Sequence, residues 1–318
     1  MNDDRDRFTI VVSPYHLTTR EAPAIAAAQI ADEIVTLVPA PMTGRDGVRP
    51  DAGRATALAR SAPVYAEMMD SWSWCAELFR EGIIGSVFGG DDAADDARAA
   101  CDRIGIEEWL GSLRPLVRPE LFDDDRTYLG AVATDVLRGG PDPALSIPLA
   151  AGLDAFAARH GLVVARAAAT SIAQKAEAKH ATRRAQFAVP ALVQGSADRL
   201  LLARALFDEP LADLRAALAA LAAGEAADVE GPARAYTEAF AIEREHLLAP
   251  PGPNDDDDEV RPVEGTLAMQ LVELPRDVVF EASVEAAAVL EGVRSAPQDR
   301  VACPDVLTSL VVKVIGRR

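Results

Sequence analysis

The apolar positions change their period several times along the chain. Phe8-Thr9-Ile10-Val11-Val12 is a short continuous run rich in β-branched residues, the pattern of a strand covered on both faces. Thr18-Thr19-Arg20-Glu21 has the spacing of a capping box, a hydroxyl three residues ahead of a glutamate. It predicts a short helix from Pro23 through the alanine-rich run to Ala31. Glu33–Val38 is the next strand-like run, stopped by Pro39 and Pro41. A strand-helix-strand unit of this length favours a parallel pair with a right-handed crossover.

After a Gly-, Pro- and Arg-rich stretch from Thr43 to Gly53, helical spacing takes over for about two hundred residues. The expected helices are Val64–Arg80, Asp91–Ile104, Asp125–Arg138, Ile147–His160, Val163–Phe187, Pro190–Phe207, Pro210–Ala223 and Pro232–Leu248. Gly139-Gly140-Pro141, Gly161, Gly224 and Gly231-Pro232 supply the punctuation between them. Residues 249–260, APPGPNDDDDEV, cannot pack a core and read as an exposed acidic loop. Strand-like runs return at Thr266–Glu273 and Val278–Ala282, followed by an expected helix at Val284–Val293 and a last strand at Leu307–Ile315. So few residues are marginal as an independent unit, so the C-terminal strands are expected to join the N-terminal pair in one sheet. The fold class predicted is mainly α with a small mixed β-sheet, α/β or α+β. It is expected as a single domain over 1–318: a β-α-β unit over 1–45, a helical region over 60–248, the acidic loop, and a β-rich segment over 261–318.

Composition narrows the classes. At 318 residues and 49% hydrophobic content, the chain can bury a core without metal or disulfide staples. The start, MNDDRDRF, lacks the features of a secretory signal, and no apolar run approaches a membrane span. Cys75, Cys101 and Cys303 are too few and too far apart for a disulfide framework, which points to a reducing, cytoplasmic setting. Alanine makes up about a fifth of the chain and arginine far outnumbers lysine. That bias fits a GC-rich bacterial genome, with salt adaptation as the rival source of acidity. The net charge of −18 argues against nucleic acid and against anionic membranes as partners.

No phosphate-binding glycine loop, dinucleotide fingerprint, zinc-protease helix or nucleophile elbow is present. Gly82, Gly85, Gly89 and Gly90 follow a helical stretch and read as a turn. On a helix, Asp91 stacks with Asp95, and Asp92 with Asp96, making carboxylate pairs suited to a hard cation such as magnesium. This six-residue run resembles the first aspartate-rich motif of the class I isoprenoid synthases, which implies diphosphate bound through magnesium. No second such motif follows. The bland reading of the same aspartates is N-terminal capping after Gly89-Gly90.

A second pattern is basic. Between Gly161 and Phe187, Arg166, Lys175, Lys179, Arg183 and Arg184 face one acid, Glu177, a local charge of +4 against −22 in the rest of the chain. If this segment is helical, Lys175, Lys179 and Arg183 share a face, with His180 and Arg184 beside them. The stripe suits an anionic ligand, an acidic segment such as Asp255–Asp258, or another subunit; a solvated surface is the plain alternative. A third candidate follows from placement. Ligands collect beyond the carboxyl ends of parallel strands, where Ser13, Tyr15, His16, Thr18 and Arg20 would sit. Trp72, Trp74, Met68, Met69 and Phe79 form the densest cluster of large side chains and read as core, with Cys75 a small buried hydrophobe.

The leading expectation is a cytoplasmic bacterial binding protein, an assembly component or regulator. Its stripe (Lys175, Lys179, His180, Arg183, Arg184) would engage an acidic protein partner, a second copy or a small anionic ligand, with Ser13, Tyr15 and His16 contributing and no cofactor. The alternative is a magnesium-dependent enzyme on a phosphorylated or diphosphate substrate, with Asp91, Asp92 and Asp95 as metal ligands.

Overall fold

A computed structural model of the chain describes residues 7–36, 63–86, 98–99, 101–102, 118–122, 125–167, 183–250, 261–273 and 278–286. The elements are β1 (Thr9–Val11), α1 (Pro14–Thr19), α2 (Ala22–Ile30), β2 (Glu33–Thr36), α3 (Pro63–Ser71), α4 (Ala76–Arg80) and β3 (Ile84–Ser86), then α5 (Asp125–Leu137), α6 (Pro143–His160), β4 (Val163–Ala167) and β5 (Arg183–Gln194). They are followed by α7 (Ala197–Leu206), α8 (Asp208–Ala222), α9 (Glu230–Leu247), β6 (Val263–Glu273) and β7 (Val278–Ala286). Short 3-10 turns lie at Ser73–Cys75 and Pro119–Phe122.

The strands form one mixed sheet in the order β3-β2-β1-β4-β7-β6-β5. The expected fold class is therefore what the chain adopts: helices dominate, and the C-terminal strands enter the same sheet as the N-terminal pair. β3, β2, β1, β4 and β7 are mutually parallel, and β6 is antiparallel to both of its neighbours. Hence β6 alone of the seven runs the other way.

Burial changes along the sheet. β1 is buried at every position, as its unbroken apolar run requires. In β5 and β6 burial alternates: Phe187, Val189, Ala191, Leu267, Met269 and Leu271 are buried, whereas Gln186 and Ala188 are exposed and Thr266, Ala268 and Gln270 are half-buried. That is the period-2 signature of a sheet with one covered face. Helix α2 lies against β4, β7 and β5 and against α7 and α8, and everything from Pro23 to Ile30 is buried. Its alanines at 24, 26, 27 and 28 allow the close approach on all sides that larger residues would prevent.

Four sequence expectations are corrected. Val163–Phe187 is not one helix: residues 163–167 form β4, parallel to β1 and β7, and 183–187 open β5. Both ends carry short apolar or alternating runs, and strand pairing overrides the alanine-driven helix propensity. Pro190 does not start a helix but sits in the middle of β5, opposite Thr266. Gly85 does not belong to a turn; it pairs with Val35 in β3. The expected Val284–Val293 helix also gives way at its start, where β7 runs on to Ala286. Asp91, Asp92, Asp95, Lys175, Lys179 and His180, the tetra-aspartate and the expected strand at Leu307–Ile315 lie outside the described residues.

Among the described strands β5 is the sheet's edge, and its outward hydrogen-bonding groups at Leu192 are closed off locally. The Gln29 side chain donates from Nε2 to the Leu192 carbonyl and accepts the Leu192 N–H at Oε1, both at 3.1 Å and both buried. One amide from α2 thus makes the pair of bonds a further strand would make. Leu192 turns these groups away from β6, so Pro190, two residues back, directs its missing N–H to the same outer side, where a proline costs no ladder bond. The register shifts immediately beyond, between Leu192 and Gln194. Replacing Gln29 by Leu strands a buried donor and a buried acceptor. It is expected to lower stability by about 2–3 kcal/mol, read from urea denaturation with an unchanged slope.

Candidate functional site

The chain order dictates where a ligand site belongs. From β1 the chain adds β2 and β3 on one side, then returns to place β4 on the other. In open parallel sheets, the crevice at the carboxyl ends on either side of such a reversal is where ligands are held. Val11 pairs with Val164, so Val12-Ser13 and Ala165-Arg166 emerge side by side at this edge.

Beyond β1 the chain turns at once into α1. Ser13 is the N-cap, its Oγ accepting from the Tyr15 N–H at 3.3 Å, and Pro14 fills the first helical position. The next two polar side chains turn inward. Tyr15 is buried and its hydroxyl donates to Asp135 Oδ2 at 2.5 Å; the same oxygen accepts the Asp142 N–H at 2.8 Å. A Cβ on Gly140 would collide with that carboxylate, so the turn after α5 is shaped around it. His16 is 1% exposed, and its Nδ1 lies 2.8 Å from Glu21 Oε2. Glu21 Oε1 also accepts the Thr19 hydroxyl at 2.7 Å. An ionised carboxylate only accepts, so it fixes the tautomer with the proton on Nδ1.

The expected capping box is absent for a related reason. Glu21 is the N-cap of α2 but gives no side-chain cap, because its carboxylate is engaged by His16 and Thr19. Thr18 instead donates to the Pro14 carbonyl at 2.9 Å and accepts from Trp72 Nε1 at 2.6 Å. Trp74 Nε1 donates to the Leu17 carbonyl at 2.8 Å. The two tryptophans belong to the core, Trp72 stacked on Phe79, and they also clamp α1 from outside. Cys75 is buried beside them, and desolvation holds its thiol above the usual range, so it is an inert hydrophobe.

On the β4 side, Arg166 donates from Nη2 to Asp154 Oδ2 at 2.8 Å, with both side chains sealed in the interior. Register places Glu281 of β7 next to Arg166. The basic segment begins here, yet Arg166 is committed to a carboxylate of α6 and is not part of a free stripe. At its far end Arg183 and Arg184 pair with Glu273 and Val272. Both positions belong to a strand, so the helical face expected from the sequence does not extend to them. Ser13, Tyr15 and His16 thus lie on the turn and helix just beyond β1, and Arg183 and Arg184 open β5.

Among the described residues no group of three His, Cys, Asp or Glu side chains converges as a metal site. What the edge offers is a stiff loop: two buried polar side chains, each held by a carboxylate, present Ser13 and the α1 termini in a fixed position. Asp135 was not singled out from sequence, and Glu21 was read there as the capping-box acid rather than as the partner of His16. Asp135 lies 120 residues from its partner and no local motif announces it; the five-residue spacing of His16 and Glu21 was the one available signal. Comparison with family models, with curated proteins and with solved structures finds no match.

The Tyr15–Asp135 bond ties β1's exit to the end of α5. A double-mutant cycle with Tyr15→Phe and Asp135→Asn, followed by urea denaturation, is expected to return a coupling of about 1–2 kcal/mol. Coupling near zero would show that the contact does not hold the loop.

Proposed function

We propose that the chain acts by binding a small anionic ligand at the carboxyl edge of β1 and β4. The observation that carries this reading is the strand order. The reversal at β1 puts the preorganised Ser13–Glu21 loop beside the exit of β4, from which the chain runs directly into the segment holding Lys175, Lys179 and His180. That segment is the one basic stretch of an acidic protein, and two of its three lysines fall within it. A local cationic group in a −22 background gives a target for an anion that the average charge conceals. Tyr15 and His16 act in this reading through position, since their polar atoms are already taken.

A second reading rests on the same edge. β3 is parallel to β2, and Asp91 follows five residues after Ser86 at its carboxyl end. The carboxyl ends of β3 and β4 share one edge of the sheet, and in sequence the acidic run follows the first as the basic segment follows the second. Magnesium held by Asp91, Asp92 and Asp95 with a phosphate-bearing substrate fits that placement, and the activity would then be enzymatic.

Calorimetric titration with inorganic pyrophosphate separates these readings. The binding reading predicts saturable, magnesium-independent binding. It also predicts that affinity falls at least about tenfold in Lys175→Glu/Lys179→Glu, with the melting temperature little changed. Binding that requires magnesium and is lost in Asp91→Asn/Asp95→Asn favours the enzyme. No binding under either condition overturns both.

A further inference from the structure

Arg20 stands out among the described residues. It is the one non-glycine residue with a positive φ, at φ 52° and ψ 48°, where α1 ends in a left-handed turn. Glycine is the usual occupant of such a position because it has no Cβ to strain. Here the chain keeps a long cationic side chain there. The guanidinium is laid over the Trp74 ring, 4.9 Å from its centroid, and Nη2 donates to the Gly195 carbonyl at 3.0 Å. Trp74 is itself fixed through its bond to Leu17. Nε is buried without a hydrogen-bond partner. Burial is the main influence on the group and lowers its pKa to about 10.

No carboxylate among the described residues pairs with Arg20. Two other enclosed arginines differ, Arg166 having Asp154 and Arg215 having Asp32, while Arg204 is engaged by the Ala28 carbonyl at the end of α2. Arg20 is only half-buried, and among the described residues Nη2 alone of its side-chain nitrogens makes a hydrogen bond. A partly desolvated cation, held over an aromatic ring with donors unused among the described residues, is an arrangement suited to an incoming oxyanion.

We propose that Arg20, positioned by Trp74 and the Gly195 carbonyl, is the anchor of an oxyanion site that takes a carboxylate or phosphoryl group of a small ligand. Nη1 and the second N–H of Nη2 form the donor pair. The left-handed backbone is the conformation that delivers the side chain between α1 and the β5–α7 loop. This site does not depend on Lys175 and Lys179.

The test is titration of the full chain with sodium phosphate and, separately, with sodium acetate, against sodium chloride at constant ionic strength. Tryptophan fluorescence and melting temperature are read together. A saturable change in wild type with either salt, absent in Arg20→Gln and retained in Lys175→Glu/Lys179→Glu, is the expected result. The salt that acts identifies the class of oxyanion. Arg20→Gly is expected to abolish the response while raising the melting temperature in the absence of anion, because it relieves the left-handed turn. An unresponsive wild type, a response that survives in Arg20→Gln, or a lowered melting temperature in Arg20→Gly would each overturn the proposal. The last outcome would assign Arg20 to the fold alone. Loss of pyrophosphate binding in the lysine variant with the Arg20 response intact separates failure of one site from failure of the other.

Discussion

Helix α2 ends in the dry interior, where its last carbonyls must find donors within the protein. Two arginines from neighbouring helices supply them: Arg204 Nη1 donates to the Ala28 carbonyl at 2.9 Å and Arg215 Nε to the Ile30 carbonyl at 2.6 Å. Cations there also complement the negative end of the helix dipole. Burial lowers the pKa of both guanidiniums, Arg204 to about 10, and Asp32 offsets part of that cost. Arg215 lies 3.4 Å from Asp32 Oδ1, while Asp32 Oδ2 accepts the Phe8 N–H at 2.9 Å. One chain of contacts thus joins α7 and α8 to the end of α2 and to the entry of β1.

From that anchoring the remaining architecture follows. With α2 fixed, Gln29 reaches the edge of β5 and closes it. The helices beneath pack through Phe207, whose ring meets Tyr236 edge-on at 5.4 Å and Phe240 at 5.6 Å. Burial pushes the Tyr236 phenol well above its usual range, so it stays neutral beside the two arginines. Phe8 meets Phe280 edge-on across the sheet at 5.9 Å, linking the first strand to the last described one. The loop between β1 and α2 is held at both ends by this frame, and it turns its polar atoms to Asp135 and Glu21. The described part of the carboxyl edge is therefore built from rigid parts.

Much of this was legible in the chain and some was not, for physical reasons. Long helices with Gly and Pro boundaries, such as α5, α6, α8 and α9, were read within a few residues because their periodic faces are independent of context. β1, β2 and β6 were recognisable from apolar runs and alternation. The stretch from Val163 to Phe187 misled because alanine favours helix locally, whereas pairing with β1, β7 and β6 is decided by residues far away. Ser13, Tyr15 and His16 were singled out by a placement rule. Asp135 escaped it, since a phenol–aspartate contact across 120 residues leaves no local trace, and Glu21 was read as a capping acid instead. The left-handed turn at Arg20 was invisible because no glycine marks it.

In the proposed function, the edge where β1 and β4 emerge is the binding surface, held in place by the buried end of α2. Hydrogen–deuterium exchange of the full chain, with and without inorganic pyrophosphate, tests it most directly. Slowed exchange in peptides covering 12–21 and 163–184, with 230–247 unchanged, is the result the account predicts. Protection confined to α9 or to the outer face of β5 and β6, or no protection anywhere, would contradict it.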